Sequence, residues 1–276
     1  MSYLHEDVLL ISVKAALAAG EVIRQIYDDP ASDFEVEMKK DNSPLTVADR
    51  KSNEVISSFL QDTPYPVLSE EGASVDYAVR GKWVKLWIVD PLDGTKEFIK
   101  RNGEFTVNIA FVEDGSPVAG VIYVPVKKTL YFGAIGTGAF KCSDIVSVGS
   151  DVTLQQLMDV SERMPSADCA HSGLVVVASR SHMNSETEAY IEELKKAHGE
   201  VRTVSKGSSI KICLVAEGAA DIYPRFAPTM EWDTAAGHAI AVAAGLEVYR
   251  ADGDVPLRYN KEDLLNPWFV VKAKVN

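Results

Sequence analysis

Two carboxylates three residues apart, Asp90 and Asp93, stand where an apolar run gives way to a Gly-Thr step. The run at 83–89 is rich in strand-forming residues, and Pro91 is expected to end the strand because proline cannot donate to a β-ladder. The acids, with the Leu92 carbonyl between them, would then lie beside the free N–H groups that open a helix. Carboxylate oxygens suit Mg²⁺, and exposed N–H groups suit a phosphate. The segment predicts a site for a metal-bound phosphate, although the same two acids could simply end a strand and cap a helix.

Three further acids lie at element ends that could converge on this segment. Glu70 also follows a short apolar run, so two strand ends carry carboxylates. Asp49 completes a T-x-x-D capping signature with Thr46, and its carboxylate could also polarise a water or join a metal shell. Asp233 stands where the N-cap of a helix beginning at Thr234 belongs, and it could be a further metal ligand. Each acid also has an ordinary explanation, as a solvated turn or a cap.

The second half of the chain supplies candidate partners for a phosphate. Gly207-Ser208-Ser209 opens a predicted helix and could offer N–H groups to an anion. Lys206, Lys211 and Arg225 are candidate phosphate partners, although most surface cations are simply solvated. His238 falls inside a later predicted helix and is interpreted as a packed side chain.

Composition and charge indicate a globular protein with an acidic balance. The 276 residues are 46% hydrophobic and 25% charged, and 28 Lys plus Arg face 40 Asp plus Glu, for a net charge of −12. This balance argues against a nucleic-acid partner, because binding a phosphate backbone needs clustered cations. A small phosphorylated substrate remains compatible, since bound cations can meet its charge locally.

The sequence carries no signal for membrane insertion, disulfide bonding or zinc binding. No apolar stretch approaches the roughly 18 to 20 residues of a transmembrane helix, and no basic signal region is present. A cytoplasmic protein is therefore expected, with peripheral membrane association left open. Cys142, Cys169 and Cys213 are widely spaced and are expected to be reduced and packed. The five histidines are scattered, which gives a zinc site no support.

The elements that must position these residues fall into two halves. Periodicity predicts helices over 5–28 and after Thr46, and alternation predicts a β-meander over 106–141. Beyond a polar stretch, strands are predicted at 174–178, 200–204, 221–223, 246–249 and 269–272, with helices at 184–197, 208–217 and 234–244. We therefore expect an N-terminal α+β domain over residues 1–147 and a C-terminal α/β domain over 148–276.

Taken together, three motifs resemble those of the lithium-sensitive, Mg²⁺-dependent phosphatases of the inositol monophosphatase superfamily. They stand in the family's order, at about its spacing, across nearly the whole chain: Ser69-Glu70-Glu71, Asp90-Pro91-Leu92-Asp93-Gly94-Thr95 and Glu231-Trp232-Asp233-Thr234-Ala235-Ala236-Gly237. Inositol monophosphatases typically read Thr-Asn-Phe where this chain has Lys96-Glu97-Phe98. That difference favours the bisphosphate nucleotidase branch, as do Tyr223-Pro224-Arg225 and Pro228-Thr229-Met230.

The resemblance implies a fold and a metal site. The fold would be a layered αβαβα sugar-phosphatase arrangement of mixed α+β and α/β character, with the site between the two halves. Two or three Mg²⁺ ions would be bound, and Li⁺ would inhibit. The implied metal ligands are Glu70, Asp90, the Leu92 carbonyl, Asp93 and Asp233.

The resemblance also implies how the attacking water and the substrate are held. Asp49, Thr95 and Glu70 would orient and activate the water, while the Gly94 and Thr95 amides hold the scissile phosphate. Related nucleotidases contact the nucleotide where this chain has Ser179, His182, Gly207, Ser208 and Lys211. Asp233, Glu70, Gly94 and Thr95 are further implied substrate contacts, and the C-terminal half would thus supply both Asp233 and nucleotide contacts.

The implied reaction removes the 3′-phosphate of adenosine 3′,5′-bisphosphate to give AMP, as part of sulfate assimilation. The 3′-phosphoadenylyl sulfate analogue is a second candidate substrate. Inositol monophosphatase or fructose-1,6-bisphosphatase activity on the same scaffold is the nearest alternative, and a non-catalytic nucleotide sensor is a more distant one. A monomer and a homodimer both fit the sequence.

Overall fold

The computed structural model of the chain describes residues 2–39, 44–166, 171–178 and 183–275. Its helices are α1 (Ser2–Asp28), α2 (Val47–Leu60), α3 (Tyr77–Arg80), α4 (Thr95–Ile99), α5 (Leu154–Asp159), α6 (Ser185–His198), α7 (Ile210–Ala216) and α8 (Glu231–Ala243). Its strands are β1 (Glu37–Met38), β2 (Pro44–Leu45), β3 (Val67–Ser69), β4 (Lys85–Asp93), β5 (Thr106–Glu113), β6 (Ser116–Val124), β7 (Thr129–Ala134), β8 (Gly138–Cys142), β9 (Glu162–Met164), β10 (Leu174–Ala178), β11 (Val201–Ser205), β12 (Tyr223–Arg225), β13 (Leu246–Arg250) and β14 (Phe269–Ala273).

Strands β3 to β9 form one seven-stranded sheet, in that order. The β3–β4 pair is parallel, and the other pairs are antiparallel. Helices α1 and α2 pack on one face, and α7 and α8 pack on the other. Both faces are therefore buried, and β4 to β7 are buried along almost their whole length. This burial explains why β4 reads as a continuous apolar run.

Strands β1 and β2 form a separate two-stranded antiparallel sheet, and β10 to β14 form two smaller sheets on the far side of α7 and α8. Strands β10 and β11 pair in parallel, and β12, β14 and β13 form an antiparallel sheet in that order. A parallel bridge between Val176 and Ile222 links β10 to the segment before β12. Helix α6 contacts β10 and β11. The layers thus run helix, sheet, helix, sheet, helix.

Two predicted boundaries near the acids are wrong. Strand β4 continues through Pro91 to Asp93, because a bulge between Asp90 and Asp93 takes the proline out of the regular ladder. Helix α8 begins at Glu231 rather than after Asp233, so that Asp233 lies in its first turn and is not its N-cap.

Other boundaries shift by smaller amounts, and several short elements were missed, among them α3 (Tyr77–Arg80). The short strand predicted at 221–223 lies at Tyr223–Arg225, and the helix predicted over 208–217 is shortened to Ile210–Ala216. The polar stretch after residue 146 contains α5 and β9. The division of the chain near residue 147 stays a prediction, although the main sheet itself runs on to Met164.

The described residues also bear on the cysteine and membrane predictions. Cys142 and Cys213 are buried free thiols, while Cys169 lies outside the described residues. Among the described helices, none combines the length and apolarity that a membrane span requires.

Helix α8 lies directly against β6 at Gly120. A Cβ added there would overlap the Ala236 carbonyl oxygen and lie 2.9 Å from Ala239 Cβ. Since the obstructing atoms belong to the helix backbone and a short side chain, neither can rotate away. Glycine at this position lets α8 approach the sheet.

We expect Gly120→Ala to destabilise the protein by about 1–3 kcal/mol, because the new methyl group must push α8 away from β6. Thermal unfolding should show a fall in Tm of at least about 2 °C. Gly253→Ala is the matched control, since a Cβ there meets no atom within 4 Å. Equal Tm values for the two variants would contradict the close approach.

Candidate active site

Strands β3 and β4 bring Glu70 and Asp90 together. Because the strands are parallel and Ser69 lies opposite Val89, the acid that follows each residue leaves the same edge of the sheet. The Glu70 N–H donates to the Val89 carbonyl at 3.1 Å. Asp90 is only 1% exposed, and its carboxyl group is hydrogen bonded to that of Glu70. Its Oδ1 also accepts from the Leu92 N–H at 3.0 Å.

The bulge after Asp90 directs Asp93 toward the second half of the chain. Asp93 Oδ2 lies 2.7 Å from both the backbone nitrogen and the hydroxyl of Ser209, at the start of α7. The same hydroxyl lies 2.8 Å from the Asp233 backbone carbonyl and accepts from Asn108 Nδ2 at 2.9 Å. Ser209 therefore joins β4, β5, α7 and α8 at one point.

Asp233 reaches this point from the first turn of α8. Its Oδ2 accepts from the Met230 N–H at 2.9 Å. Burial, followed by repulsion from Asp93, raises the pKa of Asp233 to about 8. Burial also raises the pKa of Asp90 well above its usual range, and the Glu70, Asp93 and Asp233 carboxylates add to that rise. Four acids from three separate parts of the chain therefore share one electrostatic environment.

Asp49 lies next to Thr95, as the resemblance implies. Asp49 Oδ2 accepts from the Thr46 N–H at 2.8 Å and from the Thr46 hydroxyl at 2.5 Å, which completes the predicted capping box. Its other oxygen accepts from the Thr95 hydroxyl at 3.1 Å. Asp49 is 2% exposed, and burial raises its pKa. One carboxyl oxygen thus caps α2, and the other is available to the site.

The oxygen donors fit a divalent cation in chemistry, but they are not gathered around one point. In the part of the chain that the structure describes, no three Asp, Glu, His or Cys side chains are grouped closely enough to hold an ion. Each acid accepts instead from a nearby donor: Asp93 from Ser209, Asp233 from Met230 and Glu70 from Lys39 at 2.8 Å. A cation would relieve the repulsion that raises the pKa values, and hard carboxylate oxygens suit Mg²⁺.

Lys39 supplies positive charge at the edge of the acid group, by which we mean the carboxylates of Glu70, Asp90, Asp93 and Asp233. Its ammonium group bridges Glu70 and Glu71. Burial acts to lower the pKa of Lys39, but attraction to the two carboxylates outweighs burial and raises it. The lysine therefore stays charged and offsets part of the local negative charge.

Two cavities adjoin the acids. The first, which we call the side cavity, has a volume of about 310 Å³ and is lined by Asp93 and Asp233 together with Gly207, Ser208 and Lys211. The second, the metal-side cavity, has a volume of about 400 Å³ and is lined by Glu70 and Thr95. Gly94, Asp93 and Asp233 line both, so the cavities meet at the acids.

Lysine and arginine side chains line the side cavity, where Lys211 is buried and Arg225 is half-buried. Lys211 is 8% exposed; its Nζ donates to the Ser208 carbonyl at 2.6 Å and lies 5.8 Å from the centre of the Tyr223 ring. Burial lowers the pKa of Lys211 to about 8, against the attraction of Asp93. Arg225 Nε and Ser208 Oγ are buried and have no hydrogen-bond partner among the described residues. Such donors suit an anionic ligand.

The structure brings most of the predicted site residues together. Around the acids and at their edge lie Asp49, Glu70, Asp90, Leu92, Asp93, Gly94, Thr95 and Asp233, and Gly207, Ser208 and Lys211 line the adjoining cavity. Ser179 and His182 lie outside the described residues. The chemical roles of all these residues stay predictions at this point.

Some contacts could not be foreseen from the sequence. Lys39 was not identified, and Ser209 was considered only for its backbone N–H, not for its hydroxyl. Asn108 carried one usable signal, since it is an amide side chain between the apolar residues Val107 and Ile109 of a buried strand. His238 is packed as predicted, with its ring nitrogens 3.0 Å from the Tyr259 hydroxyl and 2.6 Å from a Glu247 oxygen.

Comparison with known proteins gives consistent matches along the chain. The model of the inositol monophosphatase family matches residues 4–274. The 3′(2′),5′-bisphosphate nucleotidase CysQ of Salmonella typhimurium is 48% identical over 255 residues, which cover 92% of this chain and 94% of that protein. The protein of the same name from Escherichia coli K12 is 46% identical over 256 residues, with coverage of 92% and 94%.

Solved structures agree in fold. A crystal structure of CysQ from Bacteroides thetaiotaomicron, described as a bacterial member of the inositol monophosphatase family, is 66% identical with a TM-score of 0.92 and covers 98% of each chain. An IMPase from Thermotoga maritima, 22% identical with a TM-score of 0.70, covers 96% of this chain and 92% of that one and supports the fold alone. The layered αβαβα fold and the family resemblance are confirmed, and the chain belongs to the inositol monophosphatase family, as an enzyme of the phosphatase class.

Proposed function

We propose that this protein is a Mg²⁺-dependent nucleotidase that removes the 3′-phosphate of adenosine 3′,5′-bisphosphate to give AMP. The observation that carries this proposal is that the side cavity lies directly beside the acid group, since Asp93 and Asp233 line it. One region suits a metal-bound phosphate, and the other presents the cations Lys211, which is buried, and Arg225, which is half-buried. A substrate with phosphates at both ends of a ribose would use both regions. The relatives named as 3′(2′),5′-bisphosphate nucleotidases support the same substrate.

The acid group would hold the metal and the scissile phosphate. Mg²⁺ would be held by Glu70, Asp90, the Leu92 carbonyl, Asp93 and Asp233. When bound, the metal supplies charge neutralisation of the phosphate and a more acidic water. The Gly94 and Thr95 amides would bind the phosphate oxygens. Gly94 has φ of 94°, and a Cβ there would lie 3.2 Å from the Glu104 carbonyl, so glycine keeps this turn open.

The Asp49–Thr95 pair would position the attacking water. With the Thr95 hydroxyl donating to Asp49 Oδ1 at 3.1 Å, the hydroxyl oxygen keeps lone pairs that can accept a hydrogen bond from the water. As Thr95 takes a proton from the water, it would pass its own proton to the Asp49 carboxylate. Burial raises the pKa of Asp49, which makes its carboxylate a better proton acceptor. Glu70 lines the metal-side cavity and would hold the water from the other side.

The side cavity would receive the 5′ end of the nucleotide. Lys211, with the unpaired Arg225 Nε and Ser208 Oγ, would bind the 5′-phosphate, and Gly207 would let the backbone approach it closely. A Cβ on Gly207 would lie 2.8 Å from the Glu104 carbonyl oxygen. The proposal extends to 3′-phosphoadenylyl sulfate, which has the same 3′-phosphate and a longer 5′ anion, and to a role in sulfate assimilation.

Substrate profiling with Mg²⁺ tests the proposal directly. Phosphate release is measured side by side on adenosine 3′,5′-bisphosphate, inositol 1-phosphate and fructose 1,6-bisphosphate, with and without Li⁺. We expect kcat/KM for the nucleotide to exceed the others by at least about tenfold, which corresponds to one additional charged hydrogen bond. We also expect Li⁺ to inhibit. Preference for inositol 1-phosphate or fructose 1,6-bisphosphate would overturn the assignment. Tight nucleotide binding without turnover would identify a sensor.

Asp93→Asn should reduce phosphate release to less than a tenth of the wild-type rate, because it removes a charged oxygen donor while preserving shape. The Ser209 contact tolerates an amide oxygen, so the thermal unfolding curve without Mg²⁺ should change little. The rise in Tm that Mg²⁺ gives the wild type should shrink. Asp62→Asn, at an exposed position, is the control. An Asp93 variant with more than a tenth of wild-type activity would count against its role.

Lys211→Met should raise KM for adenosine 3′,5′-bisphosphate by about 10- to 100-fold, because a charged hydrogen bond to the 5′-phosphate is lost. Turnover of adenosine 3′-monophosphate, which has no 5′-phosphate, should change by less than about threefold. Lys196→Met on the exposed face of α6 is the control. If both substrates were affected equally, Lys211 would not bind the 5′-phosphate.

A further inference from the structure

Glu97 stands where the two cavities meet, and its carboxylate has no partner within the described part of the chain. The residue lines both the side cavity and the metal-side cavity. Its side chain forms no hydrogen bond or ion pair with any residue that the structure describes. By contrast, Glu104, another glutamate of the side cavity, accepts from Lys206 Nζ at 3.2 Å and from the Gly207 N–H at 2.9 Å. Glu97 therefore has acceptor capacity that none of the described residues uses.

Two glycines fix where this carboxylate lies. Glu97 follows Gly94 by three residues, so the two lie on the same side of α4. Glu97 Oε2 lies 3.4 Å from the position that a Cβ on Gly94 would take, and Glu97 Cγ lies 3.0 Å from that of Gly207. The side chain thus passes between the turn proposed to hold the scissile phosphate and the rim of the side cavity.

A free carboxylate at this position would weaken the binding of a bisphosphate unless the substrate also offered it a hydrogen-bond donor. Its negative charge repels both phosphates, and the nearby Lys211 offsets only part of that repulsion. A ribose that spans the two regions offers such a donor, because the carbon next to the 3′-phosphate ester carries the 2′-hydroxyl. Carboxylates recognise ribose hydroxyls in this way in dinucleotide-binding proteins.

We propose that Glu97 is a specificity-determining residue that accepts a hydrogen bond from the ribose hydroxyl next to the scissile phosphate. For a 3′-phosphate this group is the 2′-hydroxyl, and for a 2′-phosphate it is the 3′-hydroxyl. Glu97 thereby selects ribonucleotides over deoxyribonucleotides. The inference rests on the proposed function, since it requires a nucleotide in both cavities.

The test compares adenosine 3′,5′-bisphosphate with its 2′-deoxy analogue. The wild type should prefer the ribonucleotide in kcat/KM by about tenfold or more, as expected for a hydrogen bond to a charged acceptor. Glu97→Ala should reduce this preference to less than about twofold, mainly by lowering kcat/KM for the ribonucleotide. Glu97→Gln, which keeps a carbonyl acceptor without the charge, should retain an intermediate preference. Glu54→Gln, exposed on α2, should leave the preference at the wild-type value.

The outcomes separate this inference from the proposed function. If the wild type releases phosphate from neither nucleotide, the proposed function fails and the role of Glu97 fails with it. If the wild type hydrolyses both but Glu97→Ala leaves their ratio unchanged, only the role of Glu97 is overturned. If the Ala and Gln variants each changed kcat/KM by the same factor for both nucleotides, Glu97 would act through its charge alone. That result would also overturn the hydrogen bond.

Discussion

Repulsion among buried carboxylates is the constraint on which the rest of this structure depends. Burial raises the pKa of Asp90, and repulsion from the Glu70, Asp93 and Asp233 carboxylates adds to that rise. Like charges in a medium of low dielectric repel strongly, so the acids cannot hold themselves together. The apolar clusters on the two faces of the main sheet stabilise the elements that carry them. Hydrogen bonds from Ser209, Met230 and Lys39 offset part of the remaining repulsion.

The parts of the site that depend on local sequence could be predicted. Apolar runs ending in acids correctly indicated that Glu70 and Asp90 lie at strand ends, and the parallel pairing of β3 and β4 makes those ends adjacent. The capping box at Asp49 follows from four consecutive residues. The start of α8 was misplaced because Met230 is not a residue type that marks an N-cap, even though Asp233 reaches back to its N–H in the usual way. The end of β4 was misplaced at Pro91 for a similar reason, since the linear sequence pattern does not reveal a bulge.

Contacts between distant parts of the chain could not be derived. The Ser209 hydroxyl meets Asp93 across 116 positions, and Asn108 meets Ser209 across 101. Nothing in periodicity or composition specifies such pairs, because they result from how whole layers stack. The same holds for the two cavities and for the Glu97 carboxylate between them, which only the packing of α4 against the loop before α7 reveals.

Because α8 packs directly on β6 at Gly120, the positions of the acids are fixed more strongly than those of the residues that line the side cavity. Asp233 is carried by a helix whose backbone touches the sheet that carries Asp90, so the relative position of these two acids is fixed by the core itself. Glu97 and Lys211 belong instead to a five-residue helix and a seven-residue helix at the rim of the side cavity. If Glu97 and Lys211 contact the substrate as proposed, substitutions of these two side chains would alter which molecule fits without moving the acids. One phosphatase framework can therefore diversify in substrate during evolution while its reactive centre is inherited unchanged.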